Sequence, residues 1–137
     1  MFGKRKLEVK VESIEEKFAK KLNSLADKYL PEKDPTDKSG FDKSDIGVFF
    51  LIDPSKSNLE EDEETAKSYE EKNDVINAHF YYWVAGRKAI SSGNEEAFII
   101  NLKKCIELGP NFPHSRIFSA YLSYSKQLVQ IAGELYQ

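Results

Sequence analysis

The sequence predicts an all-α fold of four to six helices arranged as antiparallel helical hairpins. Three observations predict it. Apolar residues recur at three- and four-residue steps in the stretches 11–30, 76–108 and 113–137, the pattern of helices buried along one face. Glycine, asparagine and proline fall where those stretches begin and end. The single run of strand-forming residues, Val48 to Ile52, has no second strand in the sequence to pair with.

In chain order, Met1 to Lys10 is basic, with Lys4, Arg5 and Lys6 in succession, and is expected to be a solvated, frayed terminus rather than a contact for an anionic surface. The 11–30 helix is signalled by Val11, Ile14, Phe18, Leu22, Leu25 and Tyr29. Glu12, Glu15 and Glu16 precede Lys17, Lys20 and Lys21, which suits the helix dipole and adds pairs one turn apart. Pro31 ends it. Residues 32–72 read as a loop-rich acidic region. Pro35 and Gly40 mark its first loop, and the apolar segment 45–53 is expected to be a short buried helix capped by Ser44 or Asp45 and stopped before Pro54. Glu60 to Glu64 are five consecutive acids. They lack the alternating ligands and the glycine of a calcium loop, so a solvated helix start or mobile loop is the reading. Asn58 can cap a helix there and Asn73 or Asp74 a later one, which leaves open whether residues 60–92 form one helix or two.

Residues 73–137 carry the main core signal. On the first helix Ile76, Phe80, Trp83, Arg87 and Ile90, with Val84 alongside, mark a face expected to be buried over four turns. Ser91 to Asn94 break the pattern: Gly93 can close one helix and Asn94 can cap the next, with Glu95 and Glu96 in its first turn. Phe98, Leu102, Cys105 and Ile106 line the second helix, which Gly109 and Pro110 stop. Pro113 to Gln137 is expected to form one last helix whose apolar face is broad enough for contact on two sides.

The hairpin of residues 77–113 resembles a tetratricopeptide repeat. Tyr82, Ala85, Gly86 and Ala89 fall where the first block of that family's pattern belongs, Gly93 falls at its turn, and Pro110 lies 28 residues after Tyr82. The repeat is degenerate, because Ala89 stands where a tyrosine is usual, and Phe98 and Leu102 stand at the alanine and phenylalanine of the second block. The C-terminal helix extends the likeness, with Ala120 lying 34 residues after Gly86. The resemblance implies a stack of helix pairs that binds proteins.

At 137 residues and with a net charge of −3 the chain is expected to be one domain that needs no metal, cofactor or disulfide to fold. The single cysteine, Cys105, suits a reducing, cytoplasmic setting. No run approaches a membrane span. Residues 1–74 carry 14 basic and 19 acidic side chains, and residues 75–137 carry six and four, so no clustered basic face invites nucleic acid. Ten of the seventeen aromatic residues lie from Phe80 onward, which places the expected core toward the C-terminus.

No catalytic or metal motif is present in the sequence. His79, His114 and Cys105 are the only imidazoles and thiol, and Cys105 sits on an apolar face, as a buried small residue does. Four consecutive aromatics, Phe80 to Trp83, cannot all face one core. Tyr81 and Tyr82 are therefore candidate peptide-gripping residues, with Arg87 and Lys88 one or two turns on to take a carboxylate or phosphate. The expected function is a non-catalytic protein–protein interaction module, an adaptor or assembly subunit binding a protein or peptide, with homo-oligomerisation as one form of it. The alternative is a small helical enzyme or ligand-binding bundle with its site near His79, Tyr82 and Arg87.

Overall fold

The structure is a computed structural model, and it describes residues 11–32, 36, 42–54 and 58–137. The basic terminus and the turn residues Pro35 and Gly40 lie outside them. Among the described residues there are six α-helices, one 3-10 helix and no strand. They are α1 (Ile14–Tyr29), the 3-10 helix (Lys43–Phe49), α2 (Leu59–Glu71), α3 (Val75–Ser91), α4 (Glu95–Leu108), α5 (Pro113–Leu122) and α6 (Ser125–Leu135).

Side-chain caps set most of the boundaries. Ser13 accepts from the Glu16 amide at 3.1 Å, so α1 starts three residues after Val11, and Val11 and Ile14 stay exposed. The stripe is engaged only from Phe18 onward, with Leu22, Leu25 and Ala26 buried. Residues 60–92 form two helices. Asn58 caps α2 through the Glu61 amide, and Asp74 caps α3 through the Asn77 amide. Between them Asn73 takes a left-handed φ of 59°, a conformation asparagine tolerates better than most residues. The acidic run is thus the start of a helix, with Glu60, Glu61 and Asp62 in its first turn. Gly93, at φ 77°, turns the chain from α3 into α4, and Asn94 caps α4 through the Ala97 amide at 3.0 Å.

Two elements differ from the sequence reading. The segment 45–53 is helical only as far as Phe49. Its cap is Asp42 rather than Ser44 or Asp45, and Phe50 is extended. The stretch 113–137 is two helices rather than one. Bonds from the Ser123 amide to Ala120 and from the Tyr124 amide to Tyr121 tighten the end of α5 and turn the chain. The reason lies in what the two halves must reach. Tyr121 is fully buried and donates to the Asp42 carbonyl at 2.7 Å, whereas α6 lies along α1, where Lys21 reaches the Leu135 carbonyl. A straight helix of that length would run about 37 Å and carry its end past the core.

The core is not confined to the C-terminal half. Phe49, on the 3-10 helix, is completely buried, with ring centroids 4.6 Å from Tyr121, 5.8 Å from Phe98 and 6.0 Å from Phe118. Ile46 and Phe50 are buried beside it. The extended residues that follow are bonded in place: Tyr136 donates to the Leu51 carbonyl at 2.5 Å, and Ser91 accepts from the Leu51 amide at 3.2 Å. The segment the sequence reads as a short buried helix is therefore the plug on which α1, α3, α4 and α5 close.

Candidate functional site

Helix α3 packs against α2 on one side and α4 on the other. The faces it uses are made of small residues, Ala78, Ala85, Gly86 and Ala89, together with Tyr82. Small side chains let helix axes approach: a Cβ on Gly86 would lie 2.4 Å from Leu102 Cδ1. Reciprocal bonds link α3 to α4. The His79 ring Nδ1 bonds the Cys105 carbonyl at 2.8 Å, so that nitrogen carries the proton, and the Cys105 thiol donates to the His79 carbonyl at 3.5 Å. Burial pushes the Cys105 thiol up to about 12 and makes it a poor nucleophile.

The face with large residues is consequently not the buried one, contrary to the expectation from periodicity. Only Ile90 of that set is fully buried. Ile76 is 73% exposed, Phe80 is 49% exposed, and Trp83, Val84 and Arg87 are partly buried. Opposite Ile76, Phe80 and Trp83 stand Phe112 and Pro113 at the entrance to α5 and Phe118 within it. With His79 they line a single open apolar groove of about 540 Å³. The His79 ring meets Phe112 edge-on at 4.6 Å, and Trp83 lies stacked over Phe118 at 6.4 Å. Gly109 shapes the groove by absence. Its φ of −142° is ordinary extended backbone, but a Cβ there would meet the Phe112 ring at 2.3 Å. The residue is glycine so that Phe112 can fold back.

Arg87 ends the groove face one turn beyond Trp83. Its guanidinium carbon stands 4.8 Å over the Trp83 ring, and neither its Nε nor Trp83 Nε1 has a hydrogen-bond partner among the described residues. Burial draws the Arg87 proton affinity below its usual value, and Tyr136 is the one group that opposes the shift. No carboxylate of the described residues pairs with it.

The four residues singled out in the sequence separate in space. Tyr82 is 3% exposed and donates to Glu70 on α2 at 2.6 Å, so it is a core residue and cannot grip a ligand in this structure. Burial and then the Glu70 bond hold its hydroxyl proton well above the usual range. Lys88 is engaged by Asp62 of α2. Tyr81 is half-buried and stacks on Tyr69 of α2 at 5.5 Å, extending the aromatic strip that Phe80 and Trp83 begin. Of the four, Arg87 comes nearest the groove, through its stacking on the lining residue Trp83. His79, Tyr82 and Arg87 do not share a cavity: His79 lines the groove floor while Tyr82 points into α2.

The residues missed were Ile76, Phe80, Trp83, Phe112 and Phe118. A signal existed, in that α3 carries two apolar faces of different sizes. The small one could be recognised as a helix-packing face, which frees the large one. Comparison with protein-family models, curated proteins and solved structures finds no match. The fold and the site thus define the chain's class by themselves: an all-α protein of packed helices with an open aromatic groove beside which Arg87 stacks on Trp83.

Proposed function

We propose that the chain is a non-catalytic protein–protein interaction module, an adaptor or assembly subunit on a tetratricopeptide-like scaffold, and that the groove between α3 and α5 receives an apolar segment of its partner. One observation carries the reading. Large apolar side chains, Ile76 and Phe80, stay exposed beside Trp83, Phe112 and Pro113 in a concave patch, although the fold buries smaller residues on the same helix. Contiguous exposed apolar patches mark interaction surfaces in soluble proteins. The hairpin of α3 and α4 and the succeeding α5 support the repeat-like reading, since the groove lies between the first helices of successive pairs. The burial of Tyr82 against Glu70, away from the groove that His79 lines, weighs against a small-molecule active site built on these residues. A buried, unreactive cysteine suits a cytoplasmic setting, and no helix among the described residues is long and apolar enough to cross a membrane.

Trp83 is the only tryptophan and stands in the groove, so its emission reports occupancy directly. The test is affinity capture from the source cells with the native chain and with an Ile76→Glu, Phe80→Glu variant. A partner retained by the native chain, lost by the variant and able to shift Trp83 emission on titration is the expected result. Capture that ignores the variant would reject the groove as the binding surface.

A further inference from the structure

The groove wants two things from an occupant: apolar side chains for its aromatic walls, and a carboxylate for Arg87. Both occur together elsewhere on this chain. Val11, three residues ahead of α1, is 81% exposed, and Ile14, its first residue, is 73% exposed, while Phe18, Leu22 and Leu25 further along the helix are packed into the core. Between and beside them stand Glu12, Glu15 and Glu16. Glu12 pairs with Lys20, while Glu15 and Glu16 are exposed. The start of α1 cannot be counted as filling its own groove. Helix α1 is held along α6 by Phe18 against Tyr136, by Lys21 on the Leu135 carbonyl and by Lys28 on Glu134, and its leading apolar residues remain in solvent.

We propose that the occupant of the groove is a second copy of this chain, which inserts Val11, just ahead of its α1, and Ile14, the first residue of α1, between Phe80 and Phe112 and sets Glu15 or Glu16 against Arg87. The inference rests on the interaction-module reading and names its partner. The two surfaces differ, so the contact is heterologous: each copy keeps one free stripe and one free groove, and association runs head to tail instead of stopping at a two-fold dimer. A patch of a few side chains falls below the roughly 1,200 Å² of a standard interface, which places the association in the weak, concentration-dependent regime. Arg87 contributes register and specificity more than affinity.

The experiment is sedimentation velocity on the full chain from about 10 to about 500 µM, a range suited to weak interfaces, with two surface variants. One is Val11→Glu, Ile14→Glu, and the other Ile76→Glu, Phe80→Glu. All four positions are exposed, and circular dichroism checks that each variant stays folded. The native chain is expected to gain mass continuously beyond the dimer. Each variant alone is expected to be monomeric, and an equimolar mixture to form a heterodimer and nothing larger, because each variant supplies the one intact half the other lacks. Arg87→Gln is expected to weaken native association about fivefold, the upper range for a solvent-accessible ion pair. A native chain that stays monomeric throughout, a mixture with no heterodimer, or an unchanged association constant for Arg87→Gln would each overturn self-docking. Groove-dependent capture of a different protein would then still stand on its own test, so the two readings fail separately.

Discussion

Replacing Phe49 by alanine tests whether the 3-10 segment is the plug of this fold. Phe49 is completely buried, and its ring meets three others, Phe98, Phe118 and Tyr121, within 6.0 Å. Phe→Ala in a core costs about 3–5 kcal/mol through lost transfer energy and the cavity left behind. Each well-placed aromatic pair adds about 0.5–1.5 kcal/mol, so a loss of about 4 kcal/mol or more is expected here. Native domains hold only about 5–15 kcal/mol, so the variant stays folded with a small margin. In urea, with a slope of about 2 kcal/mol/M, the midpoint followed by circular dichroism moves down by about 2 M with the slope unchanged. Val48→Ala, at a neighbouring position that is 45% exposed, serves as the control and is expected to cost under about 0.5 kcal/mol. A Phe49→Ala shift below about 0.5 M, or equal shifts for the two variants, would refute the placement of this segment at the centre of the core.

Three further outcomes follow from local geometry. Tyr82 first, and Lys104 after it, hold the Glu70 carboxyl below its usual range, so the unfolded chain takes up that proton at higher pH than the folded one. The stabilisation is complete above the ordinary carboxylate range and is lost as pH falls through and below it; Glu70→Gln therefore flattens the fall in thermal midpoint between roughly pH 5 and pH 3, and an unaltered profile would deny the linkage. Gly93→Ala forces a side chain onto a φ of 77° and should cost about 1–2 kcal/mol in urea titration, although space around the position is open. Cys105, buried and with its thiol pushed up to about 12, should react with a thiol reagent at pH 8 only as fast as the chain opens, so that mild denaturant accelerates labelling steeply; reaction at the speed of a free thiol in buffer would contradict its burial.

The sequence by itself determined what depends on neighbours a few residues apart. Helical periodicity, the caps at Asn58 and Asn94, the left-handed turn at Gly93 and the stop at Pro31 are all local chemistry and stand in the structure where the residues put them, while of the two candidates Asn73 and Asp74 the structure uses Asp74 as the cap. Gly86, singled out in the sequence at a small-residue position of the repeat pattern, sits where a side chain would meet Leu102. What only the tertiary structure decided is which of two competing faces was buried. On α3 the larger apolar side chains were the stronger periodic signal. Yet α2 and α4 both had to approach that helix closely, which Ala78, Ala85, Gly86 and Ala89 permit, and Tyr82 fits among them because its hydroxyl is satisfied by Glu70, so Ile76 and Phe80 were left outside. The same competition fixed the other surprises. Phe49 and Tyr136 lie far apart in sequence, and both serve the plug that the 3-10 segment forms with the residues after it: Phe49 fills the core, and Tyr136 bonds the Leu51 carbonyl. The break between Leu122 and Ser125 follows from the two places its flanking helices must reach. Long-range packing chooses among the faces that local periodicity offers, even against the stronger signal, and the groove is the face left over.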